Sequence, residues 1–217
     1  MSVFINGIRT YTVSNSTTVG NANTLLSIGS NRGTTTNPLG GYISNFRYVK
    51  GSAVYDPTQT TLTVPTSPLT AITNTSLLTC QSNRFIDNST NAFTITRGGD
   101  TSVQTFQPFG TPTSAYSAAT NGGSAYFDGT GDYLSGTFSS TTVGSGDFTI
   151  ELWYYPTAFE NYDTLFSNTR GSTGFNIGTN ASKTVVWYSS SAEQINSGTL
   201  TLNAWNHIAF TRTSNTL

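Results

Sequence analysis

Charge is scarce in this chain. Only 9% of its 217 residues are charged, with Lys+Arg 9 set against Asp+Glu 10. So near-neutral a surface lacks the basic footprint that nucleic acid or an anionic membrane requires, and neither is expected as a partner. Cysteine and histidine occur once each, as Cys80 and His207. That excludes an intrachain disulfide and a zinc site of the usual His/Cys kind. No run approaches the roughly 18 consecutive apolar residues of a membrane-spanning helix, and Met1 to Thr10 holds no apolar stretch long enough for a signal peptide. Helical spacing is missing as well, because β-branched Thr, Val and Ile and scattered Gly interrupt every candidate window.

What remains is polar, uncharged and aromatic. Thr, Ser, Asn and Gly dominate, and aromatics make up 12% of the chain. Such a surface suits neutral, hydroxyl-rich partners, such as a cell-surface glycan, or a repetitive protein assembly. Strands are expected at Val3 to Ile5, Leu25 to Ile28, Gly41 to Val49, Ser76 to Gln81, Phe93 to Arg97 and Ala125 to Phe127. Further strands are expected at Phe148 to Tyr155, Asp163 to Ser167, Gly174 to Ile177, Thr184 to Tyr188 and Asn206 to Arg212. Many short strands at this spacing predict an all-β, two-sheet antiparallel jelly-roll sandwich of one domain, 1–217. Along Phe148 to Tyr155 the residues Phe148, Ile150, Leu152 and Tyr154 alternate onto one face, as a central core strand requires.

The two ends of the chain read as one hairpin cut at its turn. Ala204 to Arg212 is strand-like and runs into the polar cluster Thr213 to Leu217, while Ser2 to Ile8 opens in mid-strand. Ser2 to Ile5 is therefore expected to pair antiparallel with Ile208 to Arg212. The frame is that of a circularly permuted domain or of a tandem repeat cut out of phase. Asp56 to Pro68 carries Pro57, Pro65 and Pro68 among threonines, which favours extended, weakly structured backbone. It reads as the seam, about 56–70, between a family domain's C-terminal part (1–70) and its N-terminal part (71–217).

In that order the segments resemble the concanavalin A-like, laminin G-like jelly-roll domain repeated in phage virion and tail-fibre proteins. The resemblance rests on Leu77-Leu78-Thr79-Cys80, Phe85 to Ser89, Ser124 to Leu134, Gly146 to Thr157 and Trp205 to Ala209. After the cut it continues through Val3 to Gly7, Leu26 to Gly29 and Gly41 to Tyr48. It implies a virion or extracellular module that binds glycan, with other copies of the repeat or virion proteins as neighbours. A purely structural repeat that builds a fibre or shell is the alternative.

Residue by residue, Asp128 and Asp132, with Asp147 or Asp87, are candidates for oxygen ligands to calcium; the favoured reading is of turn aspartates that bond nearby amides, and no metal ligand is assigned. Among aromatics able to stack on a sugar ring, Trp153 and Trp205 are expected in the core, whereas Trp187 and Tyr188 lead into the loop-like Ser189 to Gln194. Trp187, Tyr188 and Tyr162 are therefore the glycan-binding candidates. Glu151 is the one residue suggestive of a glycanase, but its strand neighbours on the same face are Thr149 and Trp153, so the second carboxyl that glycoside hydrolysis needs is missing. His207 has no acid evident beside it, and no enzyme is expected. Asn15, Asn74, Asn88 and Asn180 begin glycosylation-type sequons, as this composition produces by itself.

Overall fold

The computed structural model of the chain describes residues 1–14, 25–110, 117–138, 143–168, 174–189 and 192–213. In chain order the strands are β1 (Ser2–Ile5), β2 (Ile8–Thr12), β3 (Leu25–Ile28), β4 (Gly40–Lys50), β5 (Thr75–Thr79), β6 (Thr96–Gly98), β7 (Ser102–Gln104) and β8 (Ser124–Asp128). They continue with β9 (Tyr133–Thr137), β10 (Phe148–Pro156), β11 (Asp163–Asn168), β12 (Phe175–Thr179), β13 (Thr184–Ser189), β14 (Ala192–Thr199) and β15 (Asn206–Arg212). One 3-10 turn, Asn31–Gly33, follows β3.

Every pairing is antiparallel. An eight-stranded sheet runs β2-β1-β15-β10-β4-β8-β7, with β5 also on β4, and a seven-stranded sheet runs β14-β13-β12-β11-β3-β9-β6. This is a two-sheet antiparallel sandwich. Between the sheets lies one apolar core, fed by alternate residues of each strand. β10 contributes Phe148, Ile150, Leu152 and Tyr154, β15 contributes Ile208 and Phe210, and the facing sheet answers with Leu165, Phe166, Phe175, Ile177, Val185 and Trp187. Cys80 is buried here too, and burial pushes its thiol up to about 12, against a smaller opposing hydrogen bond from Thr79. It is therefore an inert core residue.

The chain-end pairing is present within one chain: Ser2 faces Thr211, Val3 faces Phe210, Phe4 faces Ala209 and Ile5 faces Ile208. Residues 214–217 of the expected turn lie outside the described residues, as does Asn15. The strands that sequence did not pick out are β2, β7, β9 and β14, and β14 occupies much of what reads as a loop after Tyr188.

The outer face of the eight-stranded sheet has two halves. Cross-strand rows follow from the register: Ser2–Thr211–Thr149–Val49, then Phe4–Ala209–Glu151–Arg47, then His207–Trp153–Ser44, then Tyr155–Tyr42–Tyr126–Ser102. A bulge between the Arg47 and Ser44 pairings, where Asn45 takes φ 54, keeps both ends of β4 facing outward. The first two rows are buried, because the proline- and threonine-rich stretch is laid across them. Val54 N–H donates to Thr149 Oγ1 (2.8 Å), Thr211 Oγ1 donates to the Tyr55 carbonyl (2.9 Å), Ser2 Oγ to the Pro57 carbonyl (2.7 Å), and Leu69 N–H to Asn45 Oδ1 (2.7 Å). The stretch has extended backbone, as its prolines dictate, but it is fastened down along its length.

Candidate functional site

The half of that face beyond the strap carries five aromatic rings in one connected cluster. Tyr42, Tyr126 and Tyr155 stand in one row because β8, β4 and β10 are in register there. The Tyr42 ring lies 4.8 Å from Tyr126 and 5.9 Å from Tyr155, close to the spacing of adjacent strands. Trp205, just before β15, extends the cluster at 5.6 Å from Tyr155. Phe106 comes from the loop after β7 and sits against Tyr42 (5.0 Å), Tyr155 (4.8 Å) and Trp205 (5.2 Å). It is the most open of the five, 42% exposed, and the others are half-buried.

The Phe106 loop is held in place by polar contacts. Ser124 Oγ donates to the Phe106 carbonyl at 2.6 Å, and the buried Gln107 side chain bridges to the Gly110 carbonyl and the Phe109 amide. Phe109 in turn packs on Trp153 at 5.9 Å. Burial and the neighbouring Tyr126 and Tyr155 hydroxyls raise the pKa of Tyr42 above its ordinary value, so its hydroxyl is neutral and can donate or accept. The rings thus offer apolar faces edged with hydroxyls, and no charged side chain stands in the row from Tyr155 to Ser102. Trp205 Nε1, Trp153 Nε1 and His207 Nδ1 are buried without a hydrogen-bond partner in the described chain.

Under the proline-rich strap lies an ionic network. Glu151 Oε1 accepts from Arg47 Nε (2.9 Å) and Nη2 (2.6 Å); Oε2 accepts from the Tyr55 hydroxyl (2.7 Å) and sits 3.4 Å from His207 Nε2. Arg47 Nη1 also ties the strap through the Thr70 carbonyl at 3.0 Å. Burial would raise the Glu151 carboxyl, but the His207 contact, the Arg47 charge and the Tyr55 hydroxyl outweigh it and hold it below its usual value. The expectation that His207 has no acid beside it is therefore wrong. Glu151 and His207 are brought together by β10 and β15 lying side by side, a pairing no sequence spacing reveals. Glu151 and His207 are fully buried, and the buried carboxylate of Asp163 belongs to β11 in the opposite sheet.

The glycan candidates divide. Trp187 is 1% exposed and stacked on Phe175 at 4.7 Å, and so is a core residue that cannot receive a sugar. The cause is alternation: Val185 and Trp187 share the inward face of β13, and β14 follows where a loop is expected. Tyr188 is half-buried, Tyr162 is 42% exposed, and their rings meet at 5.7 Å. Trp153 and Trp205 are not in the core as expected; both stand on the outer face. Tyr42, Phe106 and Tyr126 were not among the candidates. Their outward alternation is readable, but their convergence depends on strand pairing.

Asp128 and Asp132 come together with Asp100, their carboxylate oxygens within 4.8 Å of one another. Asp87 is not there: it is buried and fastens the Leu78, Ser89 and Phe93 amides. Asp132 is buried and both its oxygens accept backbone amides, Oδ1 from Asp100 (2.8 Å) and Oδ2 from Asp128 (3.0 Å), while Asp128 Oδ1 accepts from Thr130 (2.6 Å). Calcium takes six to eight oxygens. A triad whose buried member already ties two amides fits a turn clasp better than that ion.

Residues 128–217 match the family described as Laminin_G_3, the concanavalin A-like lectin/glucanases superfamily. Trp153, Tyr155 and Trp205 of the outer face fall in that segment, and its likeness agrees with the two-sheet architecture of the whole chain. No curated protein and no solved structure matches the chain. Among the described residues no helix is long and apolar enough to cross a membrane.

Proposed function

We propose that the chain is a non-enzymatic, glycan-binding adhesion module, and that the five-ring face of the eight-stranded sheet is where the sugar stacks. The observation that carries this is the cluster of Tyr42, Phe106, Tyr126, Tyr155 and Trp205, partly exposed on one face although aromatic side chains gain by burial. The match of residues 128–217 to a lectin and glucanase superfamily supports it. The Tyr162–Tyr188 pair, on the opposite sheet, is a second and smaller stacking surface. Catalysis is disfavoured because Glu151, the one carboxylate of the buried network, has both oxygens engaged beneath the strap.

The wider setting is a virion or extracellular repeat in permuted frame. In support, the family-matched segment carries β10 and β15, and its sheet is completed by β1 and β4 from the other end of the sequence. A glycan array probed with the wild type and with Phe106→Ala tests the binding role. Retention of defined sugars by the wild type and their loss in the variant is the expected result. An array without signal, or one the variant leaves unchanged, contradicts it and leaves the structural repeat as the reading.

A further inference from the structure

The chemistry of the five-ring face restricts what it can hold, provided the glycan reading stands. We infer that its ligand is an uncharged polysaccharide chain, bound without a metal ion and lying across the strands rather than along one of them.

Charge complementarity is the first argument. The ring row runs Tyr155–Tyr42–Tyr126–Ser102, with Gln104 beyond Ser102 on β7, and contains hydroxyls and an amide but no carboxylate, ammonium, guanidinium or imidazole. The row's neighbour along the sheet, His207–Trp153–Ser44, leads directly to Glu151 and Arg47, whose charges are paired with each other and covered. Among the described residues of these rows an anionic sugar would find no accessible cation, and burying its charge unpaired is costly.

Direction is the second argument. Rings on neighbouring strands inherit the strand separation, so the row Tyr126–Tyr42–Tyr155 advances across β8, β4 and β10 at steps of 4.8 and 5.9 Å, and Trp205, 5.6 Å from Tyr155 and 6.5 Å from Tyr42, closes a triangle at one end of it. Each step is about the length of one pyranose residue in a chain, so successive sugars can meet successive rings. Phe106 packs on all three rings of that triangle, so the platform is broadest at the Tyr155 end and narrows to Tyr126 on β8. A peptide added as a further strand would need backbone partners as well as rings. Here β4 and β10 are each paired on both sides, so their backbone is already used.

The third argument concerns the metal. The acidic triad joins Asp100, between β6 and β7, to Asp128 and Asp132 at the turn after β8, and its buried Asp132 already holds the Asp100 and Asp128 amides. The rings therefore carry the contact themselves.

Isothermal titration of the intact chain separates the possibilities. The probes are uncharged oligosaccharides (cello-, laminari- and galacto-oligosaccharides), anionic ones (hyaluronan and heparin fragments) and a polyproline peptide, each in EDTA and in calcium, at low and high salt. An uncharged chain is expected to bind with an affinity that neither EDTA nor salt changes by more than about twofold. Phe106→Ala and Trp205→Ala should each weaken it about tenfold, while Tyr188→Ala on the other sheet leaves it intact. Longer oligomers should gain affinity up to the span of the rings and then stop. Binding confined to anionic sugars, or abolished by EDTA, overturns this inference while the glycan reading survives. Binding of the peptide alone, or of nothing, overturns both. Phe106 lies in a surface loop, so its variant remains informative if Trp205→Ala fails to fold.

Discussion

Removing Arg47 should expose how the buried charge under the strap is held. Arg47→Met deletes both hydrogen bonds to Glu151 Oε1, at 2.9 and 2.6 Å, and the strap tie to the Thr70 carbonyl at 3.0 Å. Glu151 is fully buried and keeps Tyr55 and His207 on its other oxygen. Breaking one side of a buried pair costs about 3–5 kcal/mol, and two charge-assisted bonds at about 1.5–3 kcal/mol each lead to the same range. Against a total stability of about 5–15 kcal/mol this is a large share. With a urea slope near 2 kcal/mol/M, the midpoint should fall by about 1.5–2.5 M.

The pH dependence identifies the cause. In the wild type the Glu151 carboxyl sits below its ordinary value, so its stabilisation is present above that value and is lost as pH falls through the lowered one. Without Arg47, burial is opposed only by His207 and Tyr55 and the carboxyl should rise from its wild-type value, so the variant's deficit should shrink on going from about pH 7.5 to about pH 5. The double variant Arg47→Met, Glu151→Gln should recover most of the loss. Urea unfolding followed by far-UV circular dichroism measures all three. A loss under about 1 kcal/mol, or one equal at both pH values, would refute the idea that the strap seals a desolvated ion pair.

Three further outcomes are expected. Asp163 is buried with Oδ1 unpartnered, and burial raises its carboxyl to about 6, against smaller opposing hydrogen bonds from Glu160 and Thr179. A raised acid stabilises the fold below its unfolded value, and the benefit is lost as pH rises through the folded one. Asp163→Asn, flat across that window, should thus gain up to about 3 kcal/mol on the wild type between acid and neutral pH in urea titrations. Trp187→Ala should cost about 3–5 kcal/mol in the same assay, whereas Tyr162→Ala, at an exposed position, should cost under about 1 kcal/mol. Gly29→Ala should destabilise by about 1–3 kcal/mol, read as a lowered Tm, because φ is +85 and the added Cβ would lie 2.3 Å from the Phe127 ring.

Strand-forming pattern was legible wherever one face is apolar. Phe148 to Tyr154 announces a core strand by alternation alone, and the Ser2 to Ile5 pairing with Ile208 to Arg212 follows from two half-hairpins that complement each other. Short edge strands such as Ser102 to Gln104, and the polar Ala192 to Thr199, carry no such alternation and escaped notice. The site was harder to read for the same reason that made the fold readable. Periodicity places Tyr42, Tyr126 and Tyr155 outward, but only register sets them side by side, and nothing local brings Phe106 back over them. Trp187 reads as a loop-leading ring because of its polar downstream sequence, yet its alternation with Val185 is what places it in the core. Glu151 and His207, 3.4 Å apart across two strands, show how completely a polar network can be hidden from one-dimensional spacing.

The glycan-binding claim is tested most directly at the indole N–H groups. The chain has three tryptophans, and they occupy three environments: Trp187 in the core, Trp153 beside the strap and Phe109, and Trp205 in the ring cluster. In a nitrogen-15 correlation spectrum titrated with an uncharged oligosaccharide, the Trp205 indole signal should move in a saturable way while that of Trp187 stays fixed. Three indole signals unchanged to the limit of sugar solubility, or Trp187 moving as much as Trp205, would contradict a glycan site on this face.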